Sequence, residues 1–123
     1  MPSYTYSEEI LPGTEILIKG DPNASTSGSG IGKFYNTQVY FKVYGNIMSL
    51  VYGDDFKNKT SLEGKDYAFY YLFQSNKIID ASNLVLPATT LSDRCYSYMF
   101  SYCEFMTKGP KVLPAQIAAD YCY

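Results

Sequence analysis

Three cysteines are the residues of this 123-residue chain whose type invites chemistry, and their spacing limits it. Cys95 and Cys103 stand eight residues apart. On the helix that the apolar periodicity predicts for this stretch, that is about 12 Å along the axis, beyond disulfide reach and wrong for one zinc ion. Cys122 lies one repeat further on, so the expectation is a column of small buried thiols. The chain has no histidine, which excludes His-based triads, Cys–His nucleophiles and His-ligated zinc. A carboxylate pair could still cleave a glycoside, but none of the acids sits in a motif that suggests a cleft. Asp54 and Asp55 form a GDDF turn without further oxygen ligands at calcium spacing. GSGIGK at positions 28–33 lacks the phosphate-loop pattern, because position 27 is Ser and Phe34 follows Lys33. These residues predict no catalysis, no metal and no cofactor.

The elements that position them repeat. LPATTLSDRCYSYMFSYC (86–103) is echoed by LPAQIAADYCY (113–123), with Leu86, Pro87, Ala88, Asp93, Cys95 and Tyr96 recurring at one constant offset as Leu113, Pro114, Ala115, Asp120, Cys122 and Tyr123. The same offset backwards maps Asp93, Tyr98, Phe100, Val112 and Leu113 onto Asp66, Tyr71, Phe73, Val85 and Leu86. Positions 59–123 therefore hold about two and a third copies of one unit, and a period of about 27 residues is typical of stacked leucine-rich repeats. Leu91, Cys95, Met99 and Cys103 step by four with Phe100 alongside, so the pattern predicts a helix over 92–103, capped by Thr90 or Ser92, with Met99 and Phe100 in the core. Gly109 and Pro110 end it and leave 105–108 and 112–113 extended. In the first copy the equivalents are a helix over 67–75 and an extended stretch over 77–86.

Ahead of the repeats, 10–13 reads as a turn, and TEILIK (14–19) alternates as a half-buried strand does. A Gly/Ser-rich surface loop follows at 20–32. Val39, Phe41 and Val43 share one face of TQVYFKVY (37–44), which is expected to pair with TEILIK, while IMSLVY (47–52) covers the first edge of the array. The predicted fold is α/β, a short leucine-rich-repeat solenoid (59–123) behind an N-terminal β cap (1–58).

Aromatic residues dominate the composition, with 14 Tyr and 7 Phe but no Trp, which suits rings that bury a body and keep a polar tip wet. The net charge is −2 and the basic residues are scattered, which argues against nucleic acid. No apolar run is long enough to insert into a membrane, and residues 1–13 do not read as a signal peptide. NAS at Asn23 and NKT at Asn58 match the N-glycosylation pattern and indicate exposed polar loops. From the phase of Ile79 and Leu86, the open strand face is expected to carry Asp80, Asn83, Lys108 and Lys111 as ligand contacts.

The repeat LPATTLSDRCYSYMFSYCEFMTKGP, together with the lead-in YGNIMSLVYGDDFKNKTSLEG (44–64), resembles the BspA-type leucine-rich-repeat surface proteins of gut Bacteroidales. The likeness covers roughly 40–123. It departs from that pattern at Ala68 and Asn76, where cysteines would stand, and in one residue added at GPKVLP. The resemblance implies a cell-surface or extracellular location and a non-catalytic adhesion module that binds a protein or glycan on another cell or matrix. A structural spacer or shell component, such as a phage fibre or surface layer, is the alternative. Because Tyr123 matches Tyr96 within the preceding unit, the last repeat reads as incomplete, and self-association through it is a further expectation.

Overall fold

The computed structural model describes residues 13–26, 30–34 and 39–123. The predicted 10–13 turn, the leader reading of 1–13, the middle of the Gly/Ser loop and the start of TQVYFKVY lie largely or wholly outside them.

Three regular elements form the frame: β1 (Phe41–Asn46), α1 (Ser49–Tyr52) and β2 (Ile78–Val85). A single 3-10 turn, Gly53–Asp55, follows α1 and holds the GDDF acids on the surface, Asp54 paired with Lys19 at 2.8 Å and Asp55 with Lys59 at 3.3 Å. Such exposed pairs contribute little. β1 does not pair with TEILIK. It pairs in parallel with β2, Phe41 beside Ile78 and Asn46 beside Val85. The crossover that parallel pairing needs is supplied by residues 47–77.

TEILIK forms no strand, and Ile16, Leu17 and Ile18 are more than half exposed. The segment is tied down instead at Gly20, whose N–H donates to the Ser49 carbonyl. A Cβ at Gly20 would overlap the Leu50 carbonyl oxygen, so only glycine permits this approach to α1.

The expected α/β leucine-rich-repeat solenoid with its N-terminal β cap is not what forms. Among the described residues there is one four-residue α-helix and one two-stranded parallel sheet, and neither copy of the repeat contains a helix. Residues 67–75 and 92–103 are successions of tight turns.

The hydrogen bonds give the reason. In the first copy, Ala68, Tyr70, Leu72, Gln74 and Asn76 each donate to the carbonyl three residues back. The alternate residues Tyr67, Phe69, Tyr71, Phe73 and Ser75 donate instead to Asp93, Cys95, Ser97, Met99 and Ser101 in the second copy. The second copy repeats this, with local bonds from Cys95, Ser97, Met99, Ser101 and Cys103, and forward bonds from Arg94 to Asp120 and Tyr96 to Cys122. An α-helix would satisfy each of these N–H groups within its own segment. Here every second one in the first copy, and those of Arg94 and Tyr96 in the second, join neighbouring copies instead.

Every second turn carries a left-handed residue at its third position, as type II turns require. These are Tyr67, Tyr71 and Ser75 in one copy and Arg94, Tyr98 and Tyr102 in the next, with φ between 54° and 61°. Tyr121 continues the series at 51°. Ser92, expected as a helix cap, donates through Oγ to the Lys65 carbonyl at 2.8 Å and so joins two copies as well.

The copies bury one continuous core. Leu62, Ala68, Phe69, Leu72, Ile78, Leu84, Leu91, Cys95 and Met99 are buried together with Ile47, Met48 and Val51 from the α1 segment. Met99 is thus a core residue as expected, while Phe100 is half-buried. Segment 31–34 lies over the first copy: Ile31 and Phe34 donate to the carbonyls of Ala68 and Leu72. Phe34 stacks on Phe73, and Phe73 on Phe100, with centroids 5.5 and 5.6 Å apart. Asn76, where the repeat pattern would put cysteine, is buried and donates to the Phe34 carbonyl at 2.9 Å. Its amide holds the covering segment in place, which a thiol could do only weakly.

Candidate binding surface

The four residues expected to face a ligand fall into two pairs, one at Asp80 and one at Asn83. Asp80 and Lys108 form a parallel bridge beside β2, and Lys111 Nζ lies 3.5 Å from Asn83 Oδ1. Asn83, Lys108 and Lys111 are exposed. Asp80 is less available, because its carboxylate accepts from the Ser82 N–H at 2.8 Å. Bonding to Ser82 holds its carboxyl below the usual carboxylate range, with Lys108 and Lys42 adding to the effect. These residues carry charges of both signs, with Asp80 partly buried and the other three exposed.

A second surface is more unusual, with its tyrosines on the turn succession and not on the strand-lined face. The left-handed residues recur every four positions along a copy and at matching positions between copies, so their side chains stand in a grid outside the core. Tyr67, Arg94 and Tyr121 form one column, with the guanidinium 5.5 Å from one ring centroid and 4.8 Å from the other. Arg94 also donates to the Tyr67 hydroxyl at 3.2 Å. Tyr71 and Tyr98 form the next column, stacked at 5.0 Å with planes 10° apart. Tyr70 packs edge-on against both Tyr67 and Tyr71, at 5.1 and 4.2 Å. The Tyr70 hydrogen bond raises the Tyr71 pKa above the usual phenol value. Tyr98, Tyr102 and Tyr121 remain 57%, 72% and 72% exposed.

Non-glycine residues in the left-handed region are costly, on the order of 1 kcal/mol or more each. Glycine or asparagine would be the ordinary occupants. Six of the seven positions carry Tyr or Arg, and the backbone geometry alone has no use for those side chains. The signal was present in the sequence as Tyr67, Tyr71, Tyr98, Tyr102 and Tyr121, spaced by four within a copy and by the repeat period between copies, but a four-residue step reads as a helix face.

Behind this grid, Phe69, Tyr96 and Tyr123 stack at 5.6 and 5.8 Å. Tyr96 is buried, and its hydroxyl has no hydrogen-bond partner among the described residues. Burial pushes its ionisation well above the usual phenol range and pushes the Cys95 thiol up to about 11. Both groups therefore favour the folded state in their neutral forms. The unfolded chain releases these protons at lower pH than the folded one, so the Cys95 contribution is intact below pH ~9 and is lost as pH rises toward 11, while the Tyr96 contribution begins to be lost only above pH ~10. Denaturant melts at pH 8 and 10.5 should show this loss, and Cys95→Ala should reduce it. Tyr96→Phe, which removes an unpaired buried hydroxyl, should leave stability at pH 7 equal or higher.

Cys95, Cys103 and Cys122 are free thiols, and no three metal-ligating side chains converge among the described residues. The groove nearest the Gly/Ser loop, about 360 Å³, runs between Ile18, Ile31, Phe34, Leu50 and Leu72, with Lys19 and Lys33 at its rim. Lys33 donates to Gln74 Oε1 there at 3.1 Å. No helix among the described residues is long and apolar enough to cross a membrane. Comparison with protein-family models, with curated proteins and with solved structures finds no match.

Proposed function

We propose that the chain is a non-catalytic binding module whose contact surface is the tyrosine grid of Tyr70, Tyr71, Tyr98, Tyr102 and Tyr121 around Arg94. The observation that carries this reading is the placement of large aromatic side chains at left-handed positions where the backbone favours glycine. Tyrosine offers wide, rigid contact area with a polar tip and little rotamer entropy to lose, and contact surfaces are enriched in it together with arginine. The neighbouring Ser75 and Ser101 add the small adaptable donors that accompany tyrosine in such surfaces. The likeness of the repeat to BspA-type surface proteins points the same way, toward adhesion to a protein or glycan on another cell or matrix.

Immobilised extracellular-matrix preparations, an oligosaccharide panel and whole cells would serve as probes for the purified chain. Binding to at least one is expected, reduced about tenfold or more by Tyr98→Gly or Tyr102→Gly, and little changed by Lys108→Ala or Lys111→Ala. Tyr102→Gly suits the local backbone and removes no ring stack, so its loss of binding would not reflect unfolding, while Tyr98→Gly also deletes the stack on Tyr71 and is read beside its melting midpoint. Binding that follows the lysines and ignores the tyrosines would move the site to the Asp80 edge. No binding to any probe would favour a structural spacer.

A further inference from the structure

The second and third copies bring two thiols into register. Tyr96 N–H donates to the Cys122 carbonyl at 2.8 Å, the Tyr96 and Tyr123 rings stack directly after them, and Cys95 Sγ lies 3.7 Å from the Cys122 carbonyl oxygen. The two cysteines thus hold equivalent positions in adjacent copies, with the Cys95 sulfur already within 3.7 Å of the Cys122 backbone, so a small backbone adjustment would bring the pair to the Cα separation of about 4.4–6.8 Å that a disulfide spans. Cys103 is placed differently. Its thiol donates to the Phe73 carbonyl at 3.0 Å, and its counterpart in the first copy is Asn76. We propose that Cys95 and Cys122 are a disulfide-forming pair that, on oxidation, staples segment 113–123 to the second copy.

The segment to be stapled is lightly held. Leu113, Ile117, Tyr121 and Tyr123 are more than half exposed. Its backbone ties to the rest of the chain run through Gln116 and Ile117 to Thr89, Leu91 to Ile117, Arg94 to Asp120 and Tyr96 to Cys122. Local opening of such a segment exposes Cys122 long before the core opens. The oxidant is a small-molecule disulfide such as oxidised glutathione. The Cys122 thiolate attacks one of its sulfurs and displaces one glutathione thiolate, leaving a mixed disulfide. The Cys95 thiolate then attacks Cys122 Sγ and displaces the second. Two cysteines are oxidised, one glutathione disulfide is reduced to two thiols, and the protons of Cys95 and Cys122 pass to the departing thiolates. Because burial holds the Cys95 thiol protonated to about pH 11, closure is the slow step and accelerates as pH rises.

The full-length chain, incubated with oxidised glutathione, blocked and digested without reduction, tests the pair. The expected product is a monomer that has lost two of its three free thiols, with peptides containing Cys95 and Cys122 joined. Cys103→Ser should form the same link. In the oxidised protein, hydrogen exchange at the Arg94 and Tyr96 amides should slow by roughly tenfold. Cys122→Ser, whose change falls in the lightly held segment, should keep the fold and lose the link. The proposal is overturned by a Cys122–Cys122 dimer, by a stable glutathione adduct with Cys95 still free, by a Cys95–Cys103 link, or by three unreacted thiols. A Cys95–Cys122 link that leaves exchange at Arg94 and Tyr96 unchanged overturns the stapling.

Discussion

Phe69→Ala is expected to cost about 3–5 kcal/mol of folding stability, the largest effect of any single truncation in this chain. Phe69 is fully buried among Ala68, Leu72 and the α1 segment's apolar residues. Its ring stacks on Tyr96 with planes 11° apart, so the change removes transfer energy, opens a cavity and deletes an aromatic pair that contributes about 1 kcal/mol by itself. Tyr96 would be left with an empty face, and its stack on Tyr123 would lose its backing. A domain of this size has a total stability of about 5–15 kcal/mol, so the variant sits near the threshold of folding. Val112→Ala, at a site 66% exposed, should stay within about 0.5 kcal/mol of the parent. Urea midpoints for the two variants measure the contrast, and equal midpoints would show that the Phe69 column is not the core.

The constant offset and the core position of Met99 were legible in the sequence, while the half-exposure of Phe100 and the conformation of the repeat were not. The constant offset between copies paired Cys95 with Cys122 and Tyr71 with Tyr98, because in-register stacking puts equivalent side chains into one column. The helix expectation failed on a detail of spacing. Leu91, Cys95, Met99 and Cys103 advance by a strict four, whereas an α-helix turns about every 3.6 residues, so each four-residue step would drift by about 40° around a helix. Three such steps would spread the stripe over about 120°. A pair of turns, one with a left-handed residue and one without, closes in four residues with no drift, so a strict four-residue stripe fits it better. TEILIK was misread for a different reason. Its alternation is strand-like, but alternation creates no partner, and β1 instead takes β2 across a long crossover. Asp80 and Asn83 stand three residues apart in β2, where Ile78, Ala81 and Leu84 are the buried positions, so strict strand alternation does not describe this element. The four-residue spacing of Tyr67 with Tyr71 and of Tyr98 with Tyr102 was legible, but without glycine or asparagine at these positions nothing in the sequence marks their positive φ, so the spacing reads as a helix face.

Tyr71→Pro separates the turn succession from a helix face when it is set beside Tyr102→Gly. Tyr71 has φ 57° and donates its N–H to the Ser97 carbonyl at 3.2 Å. Proline holds φ in the ordinary right-handed range and has no N–H, so the left-handed turn and one bond between copies are lost together. The adjoining bonds of Phe69 to Cys95 and Phe73 to Met99 share that backbone alignment and are strained with it. The expected cost is at least about 3 kcal/mol. A helix would predict a similar penalty for proline, which is why the glycine variant is needed. In a helix interior, glycine costs about 1 kcal/mol relative to alanine. At a left-handed position it relieves about 1–2 kcal/mol of backbone strain and gives back about 0.5–1 kcal/mol in unfolded-state entropy. Tyr102 is 72% exposed at φ 58° and makes no ring stack among the described residues, so little else changes there. Tyr102→Gly should therefore melt at the parent's midpoint or above it. A clear loss of stability at Tyr102→Gly, alongside the loss at Tyr71→Pro, would restore the helix and remove the grid with it.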